Sequence, residues 1–209
     1  MTAIWGPLGW MTLHSVATIY PPEPTPEEQI LMRSWLDMFR DTITCPSCRD
    51  HFSKMLEAYR QLFPNMLASR QNFALFTFRA HNAVKRRINK PVYGDVQACM
   101  DFLKTNVKNR AAREYRLAYL HHISLHWRVF RDASGISALR KIAEMNKIEL
   151  EYLRVRDNGF DVTLSPDVVI LPRETLEKGY QEPVMRGRVG QPPPGVSFRL
   201  TGGGIRIRR

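Results

Sequence analysis

Cysteine is scarce in this chain: Cys45, Cys48 and Cys99 are the only three among 209 residues. That is too few for a disulfide-stapled secreted scaffold, which needs several bridges in place of a large core. Long apolar runs are missing as well. Every hydrophobic stretch is short and broken by charge, which excludes a membrane-spanning helix. The opening Met1-Thr2-Ala3-Ile4-Trp5-Gly6 has no basic start, long apolar run or small-residue cleavage site of a secretory signal. It also lacks the Arg/Ser-rich amphipathic pattern of a mitochondrial presequence, so the expectation is a protein that stays where it is made. Acid is in short supply: 20 Asp and Glu face 31 Lys and Arg, a formal charge of +11. Such a balance points to an anionic neighbour, nucleic acid or an acidic surface, and says nothing about fold. No internal repeat is visible.

Hydrophobic material is ample. Hydrophobic residues make up 44% of the chain, with four Trp and ten Phe, enough for one substantial core or a compact domain with an appendage. Apolar side chains recur at helical spacing from Leu8 to Ile19, and Tyr20-Pro21-Pro22 ends that segment. Thr25-Pro26-Glu27-Glu28 opens a second helix, with Thr25 as N-cap, Pro26 at the first position and acids in the first turn. Its buried stripe is Ile30, Leu31, Trp35, Met38 and Phe39. A third helix starts at the paired cysteines and carries His51, Phe52, Met55, Leu56 and Tyr59. Ser69 caps a fourth from Gln71 to about Ile88, closed by Lys90-Pro91-Val92-Tyr93-Gly94, and a short fifth spans Asp95 to Val107. Further helices are expected over Ala111–Arg131 and Ile136–Leu153, with a short strand within Val162–Leu171. From Pro183 onward the chain holds three consecutive prolines, three consecutive glycines and six arginines without an acid, the composition of an extended tail.

Chemistry concentrates at Cys45-Pro46-Ser47-Cys48. Two thiols separated by two residues on the first turn of a helix close a reducible disulfide. The unpaired N–H groups of the helix start favour a thiolate at the first of them. Three chemistries share this signature: a thioredoxin-like fold, a zinc site and a helical flavin-linked thiol oxidase. A thioredoxin-like CxxC follows a strand, whereas Met32–Arg40 has helical period and few β-branched residues. Zinc could draw on Cys45, Cys48 and His51 with Cys99 or another histidine, but no second CxxC or CxxH completes a tetrahedral set.

The surrounding residues favour the third chemistry. Trp10-Met11-Thr12-Leu13-His14 and Tyr20-Pro21-Pro22-Glu23-Pro24-Thr25 precede the pair, and His51-Phe52 follow it. Further on stand His81-Asn82-Ala83-Val84-Lys85 and Asn89-Lys90-Pro91-Val92-Tyr93. In order and spacing these resemble the Erv/ALR family of FAD-linked sulfhydryl oxidases over about residues 5 to 95. The opening Trp5-Gly6-Pro7 is similar to members carried by large DNA viruses. The resemblance implies an all-α fold, a four-helix bundle plus a short fifth helix, binding FAD at its mouth. Cys48 would face the isoalloxazine and Cys45 would meet the substrate dithiol, with oxygen reduced to hydrogen peroxide. Gly6, Trp10, His14 and Tyr20 are the expected flavin-side contacts. His81, Asn82, Val84, Lys85, Lys90 and Tyr93 match the segment reaching adenine, ribose and pyrophosphate. A homodimer is implied on the same ground.

The chain also departs from the family pattern. Lys85 stands where the family has a second Asn, and Pro7 where an Arg is common. Phe78 replaces a cysteine of a structural disulfide, and no second cysteine pair exists to shuttle electrons. Cys99 is expected to be a small buried hydrophobe. His121, His122 and His126 invite a metal reading, but no HExxH carboxylate accompanies them, and no metal site is expected. The expected organisation is an oxidase domain at 1–105, a helical extension at 106–182 and a basic tail at 183–209. That tail suits an anionic partner or virion assembly. The rival to an oxidase is a virion or scaffold component that keeps the fold without the chemistry. A viral source would place the protein in infected-cell cytoplasm or in virions.

Overall fold

The computed structural model describes residues 2–107 and 111–157. Seven helices follow one another: α1 (Thr2–Ile19), α2 (Pro26–Thr42), α3 (Pro46–Leu62), α4 (Arg70–Arg87), α5 (Val96–Val107), α6 (Ala112–Trp127) and α7 (Ala133–Ile148). A π-turn at Glu149–Leu153 and a 3-10 turn at Arg154–Arg156 complete the described chain. No strand occurs among the described residues, so the all-α class expected from the sequence is the class observed. The segment expected as a strand and the basic tail lie outside the described residues.

The helix starts follow local chemistry. Thr25 Oγ1 accepts from the N–H of Glu28 at 3.2 Å and Glu28 Oε2 accepts from the N–H of Thr25 at 3.0 Å, a reciprocal capping box behind Pro26. Ser69 caps α4 through the N–H of Asn72 at 3.1 Å, and Asp132 caps α7 through the N–H of Gly135 at 2.9 Å. A side chain at Gly135 would place its first carbon 2.0 Å from the Phe130 carbonyl oxygen, so the turn between α6 and α7 admits only glycine there. Four boundaries differ from expectation by three residues or more: among them α6 stops at Trp127 rather than Arg131, and α7 starts at Ala133 rather than Ile136. Helix α1 begins at Thr2 rather than Leu8, because Pro7 lies so near the start that its missing N–H costs a single backbone bond. The last helix is not one regular α-helix to Leu153, but turns π at Glu149.

From Met11 to Tyr20 every residue is buried, so this part of α1 has no solvent face and runs through the middle of the packed helices. Helix α4 packs on one side of it and α6 on another, while α7 lies along α2. Tyr119, Leu120, Ile123, Trp127, Ala138, Ile142 and Met145 share one buried cluster with Leu13, Val16, Trp35, Leu36, Phe39 and Phe52. A second cluster joins Met11, Leu75 and Phe78 to Tyr93, Val96, Cys99 and Met100, seating α5 against α4. Phe78 fills its place there as a packed ring.

An ion pair is sealed inside. Arg116 on α6 and Glu149 at the π-turn are each 1% exposed, and the guanidinium forks onto the carboxylate at 2.7 and 3.1 Å. The same guanidinium also donates to Ser15 Oγ of α1. Taking both charges out of water is costly, and the fork with its third bond offsets that cost only while every partner is present. Glu149→Ala is therefore expected to lower unfolding stability by about 3–5 kcal/mol, read as a shift of the urea midpoint. Combined replacement, Arg116→Met with Glu149→Leu, is expected to recover most of that loss.

Candidate active site

The pair of cysteines sits where α2 turns into α3. Cys45 is the N-cap of α3 in extended conformation, Pro46 takes the first helical position, and Cys45 is disulfide-bonded to Cys48. The Cys45 sulfur accepts from the Cys48 N–H at 3.3 Å and lies 3.4 Å from the hydroxyl of exposed Ser47. Both cysteines are half-buried, and Cys48 leans on the main core. A sulfur in the N-cap position receives the partial positive charge of the helix start, which favours thiolate when the pair is reduced. His51, exposed one turn along, pairs through Nδ1 with the Ser47 carbonyl at 3.1 Å. Desolvation first, then the neighbouring charge of Arg87, holds it below the ordinary imidazole value.

The histidines form a second group. Trp10 and His14 stand one turn apart on α1, and His81 approaches from α4. The His81 ring stacks on Trp10 with centroids 4.3 Å apart and planes 2° from parallel. Its Nδ1 lies 3.0 Å from His14 Nε2, a hydrogen bond between two imidazoles that requires one of them to be an acceptor. Burial holds His14 at about 3, while burial and then the facing His14 hold His81 at about 2. Both rings are therefore neutral at physiological pH. Cys99 of α5 closes the group with Sγ 3.9 Å from His14 Nε2. Burial pushes its thiol up to about 12, against the opposing pull of the Lys85 ammonium. The His14, His81 and Cys99 donor atoms lie within 4.8 Å of one another, a spacing able to hold a metal ion.

Asn82 is committed to the loop after α4. Its amide donates to the Tyr93 carbonyl at 3.0 Å and its oxygen accepts from the Tyr93 N–H at 2.9 Å. Asn89 leaves the helix with φ 54°, a left-handed conformation that asparagine tolerates, and the Lys90 N–H returns to the Lys85 carbonyl at 2.8 Å. Lys85 places its ammonium 3.5 Å from the centroid of Tyr93. Of the other sequence candidates, Val84 is half-buried and Lys90 exposed. Tyr20 is fully buried and spends its hydroxyl on the Leu67 carbonyl at 2.9 Å. Gly6 is half-buried on α1, and a side-chain carbon there would meet nothing within 4 Å. The structure thus brings Trp10, His14, His81, Asn82, Lys85 and Tyr93 into one group, with Tyr20 in the core and Cys45 and Cys48 at the head of α3.

A sequence profile described as the Erv1/Alr family matches residues 8–110. Protein 347L of invertebrate iridescent virus 6, named as a FAD-linked sulfhydryl oxidase, is 34% identical over 92 residues. These amount to 43% of this chain and 83% of that protein. The chain belongs to the Erv1/Alr family. A FAD-linked sulfhydryl oxidase of African swine fever virus is 34% identical over 89 residues, 42% of this chain and 71% of that one. The enzyme named ERV2 of Saccharomyces cerevisiae is 30% identical over 88 residues, of which the match spans 43% of its length. No solved structure matches the chain. Within this Erv1/Alr protein the likeness covers α1 to α5, and α6 and α7 lie beyond it.

The relatives' names specify FAD, and the residues here suit such a group. A half-buried indole and imidazole offer flat apolar surface, and neutral ring nitrogens can exchange hydrogen bonds with a heterocycle. Lys85, Arg86, Arg87 and Lys90 at the end of α4 supply cations for a pyrophosphate.

Sequence reasoning missed three partnerships. Cys99 faces His14 rather than sitting among carbons alone. The Asn82 amide holds Tyr93, a bond that no spacing rule announces. Trp127 of α6 donates its indole N–H to the Thr42 carbonyl at 2.9 Å, and Arg49 lies over its ring. The structure gives His126 of the 121–126 histidines to packing, its ring against Trp127 and Phe130.

The depressed imidazoles make stability depend on pH. A histidine whose folded value lies below its unfolded value near 6.5 contributes fully above the latter, and that contribution is lost as pH falls toward the folded value. For His14, buried and held at about 3, the loss between pH 7 and pH 5 is about 2 kcal/mol. Urea unfolding at the two pH values should show that loss in the wild type and a smaller one in His14→Gln. In NMR spectra the His14 and His81 ring protons should not titrate between pH 5 and 8.

Proposed function

We propose that this chain is a FAD-linked thiol oxidase that makes disulfides in protein dithiols through Cys45 and Cys48, with oxygen as final acceptor and hydrogen peroxide as product. One observation carries the reading: a half-buried disulfide at the N-cap of α3, its inner sulfur on the core and its outer sulfur beside exposed Ser47. Family membership, viral relatives with the same named activity and the aromatic group on α1 and α4 support it.

The thiol steps follow from the geometry. A substrate thiolate attacks the Cys45 sulfur, forming a mixed disulfide, and the bond to Cys48 breaks with its electron pair leaving on Cys48. The second substrate thiolate attacks its own partner sulfur in that mixed disulfide. The substrate disulfide closes and Cys45 departs as thiolate, so two electrons have passed to the pair. The departing Cys45 thiolate is received by the Cys48 N–H and the start of α3, which makes it a good leaving group. When bound, FAD supplies the two-electron acceptor that restores the disulfide and hands the electrons to oxygen. Trp10 and His81 would offer its rings a stacking wall, with the His81 ring held by His14, and Lys85 and Lys90 would hold the pyrophosphate. Asn82 keeps the 89–93 loop in place so that those cations stay at the end of α4.

We assign this work to residues 1–105 of a viral protein, in keeping with the viral relatives, and propose a homodimer in the infected cell's cytoplasm or in the virion. Purified protein should be yellow and lose its visible flavin absorbance with excess dithiothreitol under anaerobic conditions, regaining it on admission of air. Cys48→Ala should stay yellow yet fail to bleach; bleaching that survives would sink the assignment. His81→Ala and Lys85→Ala should each lower FAD retained after gel filtration by about tenfold, as loss of one stacking or charged partner predicts.

A further inference from the structure

The turn that carries Cys45 is held by residues outside the helix it ends. Helix α2 finishes at Thr42; Thr42 Oγ1 and the Ile43 N–H cover the Phe39 and Arg40 carbonyls at 3.2 and 3.3 Å, while the carbonyls that follow point beyond the helix's own donors. The carbonyls of Thr42 and of the cap residue Ile43 are claimed by side chains of α6 and α3. The Trp127 indole N–H donates to the Thr42 carbonyl at 2.9 Å, and the Arg49 guanidinium donates to the Ile43 carbonyl at 3.1 Å. The two donors also hold each other, with the Arg49 guanidinium carbon 5.4 Å from the centre of the Trp127 ring. Trp127 is 6% exposed and Arg49 half-buried, so these bonds are sheltered from water. Helix α7 adds a third grip, with Lys141 2.6 Å from Asp41. Cys45 follows Ile43 by two residues, and Arg49 follows Cys48 by one. Part of what fixes the outer sulfur at the head of α3 therefore comes from α6 and α7, which the family likeness does not cover.

We propose that Trp127 and Arg49 are positioning residues of the redox disulfide, so that α6 sets how strongly the Cys45–Cys48 pair oxidises its substrates. The inference rests on the assignment of chemistry to that pair. The effect acts on the reduced form of the pair. A Cys45 thiolate gains from the Cys48 N–H and the helix start only while the 42–45 turn keeps the sulfur in the cap position. Arg49 adds a cation one residue beyond the pair, with its direction set by the indole face. Stabilising the reduced form makes a disulfide a stronger oxidant. Loosening the turn removes that stabilisation, and the pair becomes a weaker one. Neither residue touches the reacting sulfurs in the described structure, so the effect is one of placement.

The test uses the full-length, FAD-loaded chain. The ratio of reduced to oxidised Cys45–Cys48 is measured by alkylation and mass spectrometry across dithiothreitol redox buffers, alongside the rate of anaerobic flavin bleaching. Trp127→Phe keeps a ring and loses the N–H, and Arg49→Met keeps length and loses charge and donors. Each should shift the equilibrium toward the oxidised pair by about five- to tenfold, the worth of one hydrogen bond, and slow bleaching comparably. Flavin content should stay unchanged. Arg49→Lys, retaining a cation and a donor, should return the equilibrium to within about twofold of the wild type. An equilibrium unmoved in both Trp127→Phe and Arg49→Met overturns the proposal. If Trp127→Phe does not fold, partly exposed Arg49 decides alone. Bleaching that persists in Cys48→Ala defeats the oxidase assignment itself, whereas an essential Cys48 with an unmoved equilibrium defeats only the role given to α6.

Discussion

The first turn of α3 is closed by a sulfur atom, and most of what surrounds the site serves to keep that atom there. Serine, threonine, aspartate and asparagine are the usual caps, because a short side-chain oxygen reaches the free N–H groups of a helix start. Cysteine is a weak acceptor, yet Cys45 fills the position and the N–H of Cys48 points at it. A weak cap in a reactive place must be supported by its neighbours. Pro46 presets the backbone at the first helical position, and the turn ahead of Cys45 is pinned at successive carbonyls by side chains from α3 and α6. The sulfur is at once a structural acceptor and the reacting atom, so the local fold and the chemistry answer to one geometry.

Much of this was legible in the residues. The caps at Thr25 and Ser69, the end of α1 at Tyr20 and the start of α3 at the cysteines all follow from local rules, because each depends on groups within four positions of one another. The cofactor segments on α1 and α4 were legible for a different reason: their order along the chain resembles a known family. What could not be read was long-range pairing. The Arg116–Glu149 fork spans 33 positions, and Trp127 reaches back 85 to the Thr42 carbonyl. Arg116 looks like any solvated helix arginine in sequence, and only the fold reveals that it is sealed inside. The same holds for Cys99, whose neighbour His14 lies 85 positions away.

The histidine group shows how burial selects a protonation state. His14 and His81 could not share a short hydrogen bond if both carried a proton on each nitrogen, and removal from water makes the neutral forms the stable ones. The neutral His81 ring stacked on the Trp10 indole gives a wall that is flat, weakly polar and uncharged, while the cations cluster further along α4, at its end. Separation of an uncharged surface from a charged one along a single helix suits a ligand that is aromatic at one point and anionic at another.

Helix α1 is enclosed by partners that are made at very different times. Ile123 and Tyr119 of α6 and Met145 of α7 join the same cluster as Leu13 and Val16, more than a hundred positions earlier. During synthesis, the amino-terminal helices leave the ribosome with an apolar flank that no residue yet made can cover. Native closure must wait until the chain has been extended past its hundred-and-fiftieth residue. Until then the apolar flank of α1 that α6 and α7 cover in the finished molecule stays open to solvent.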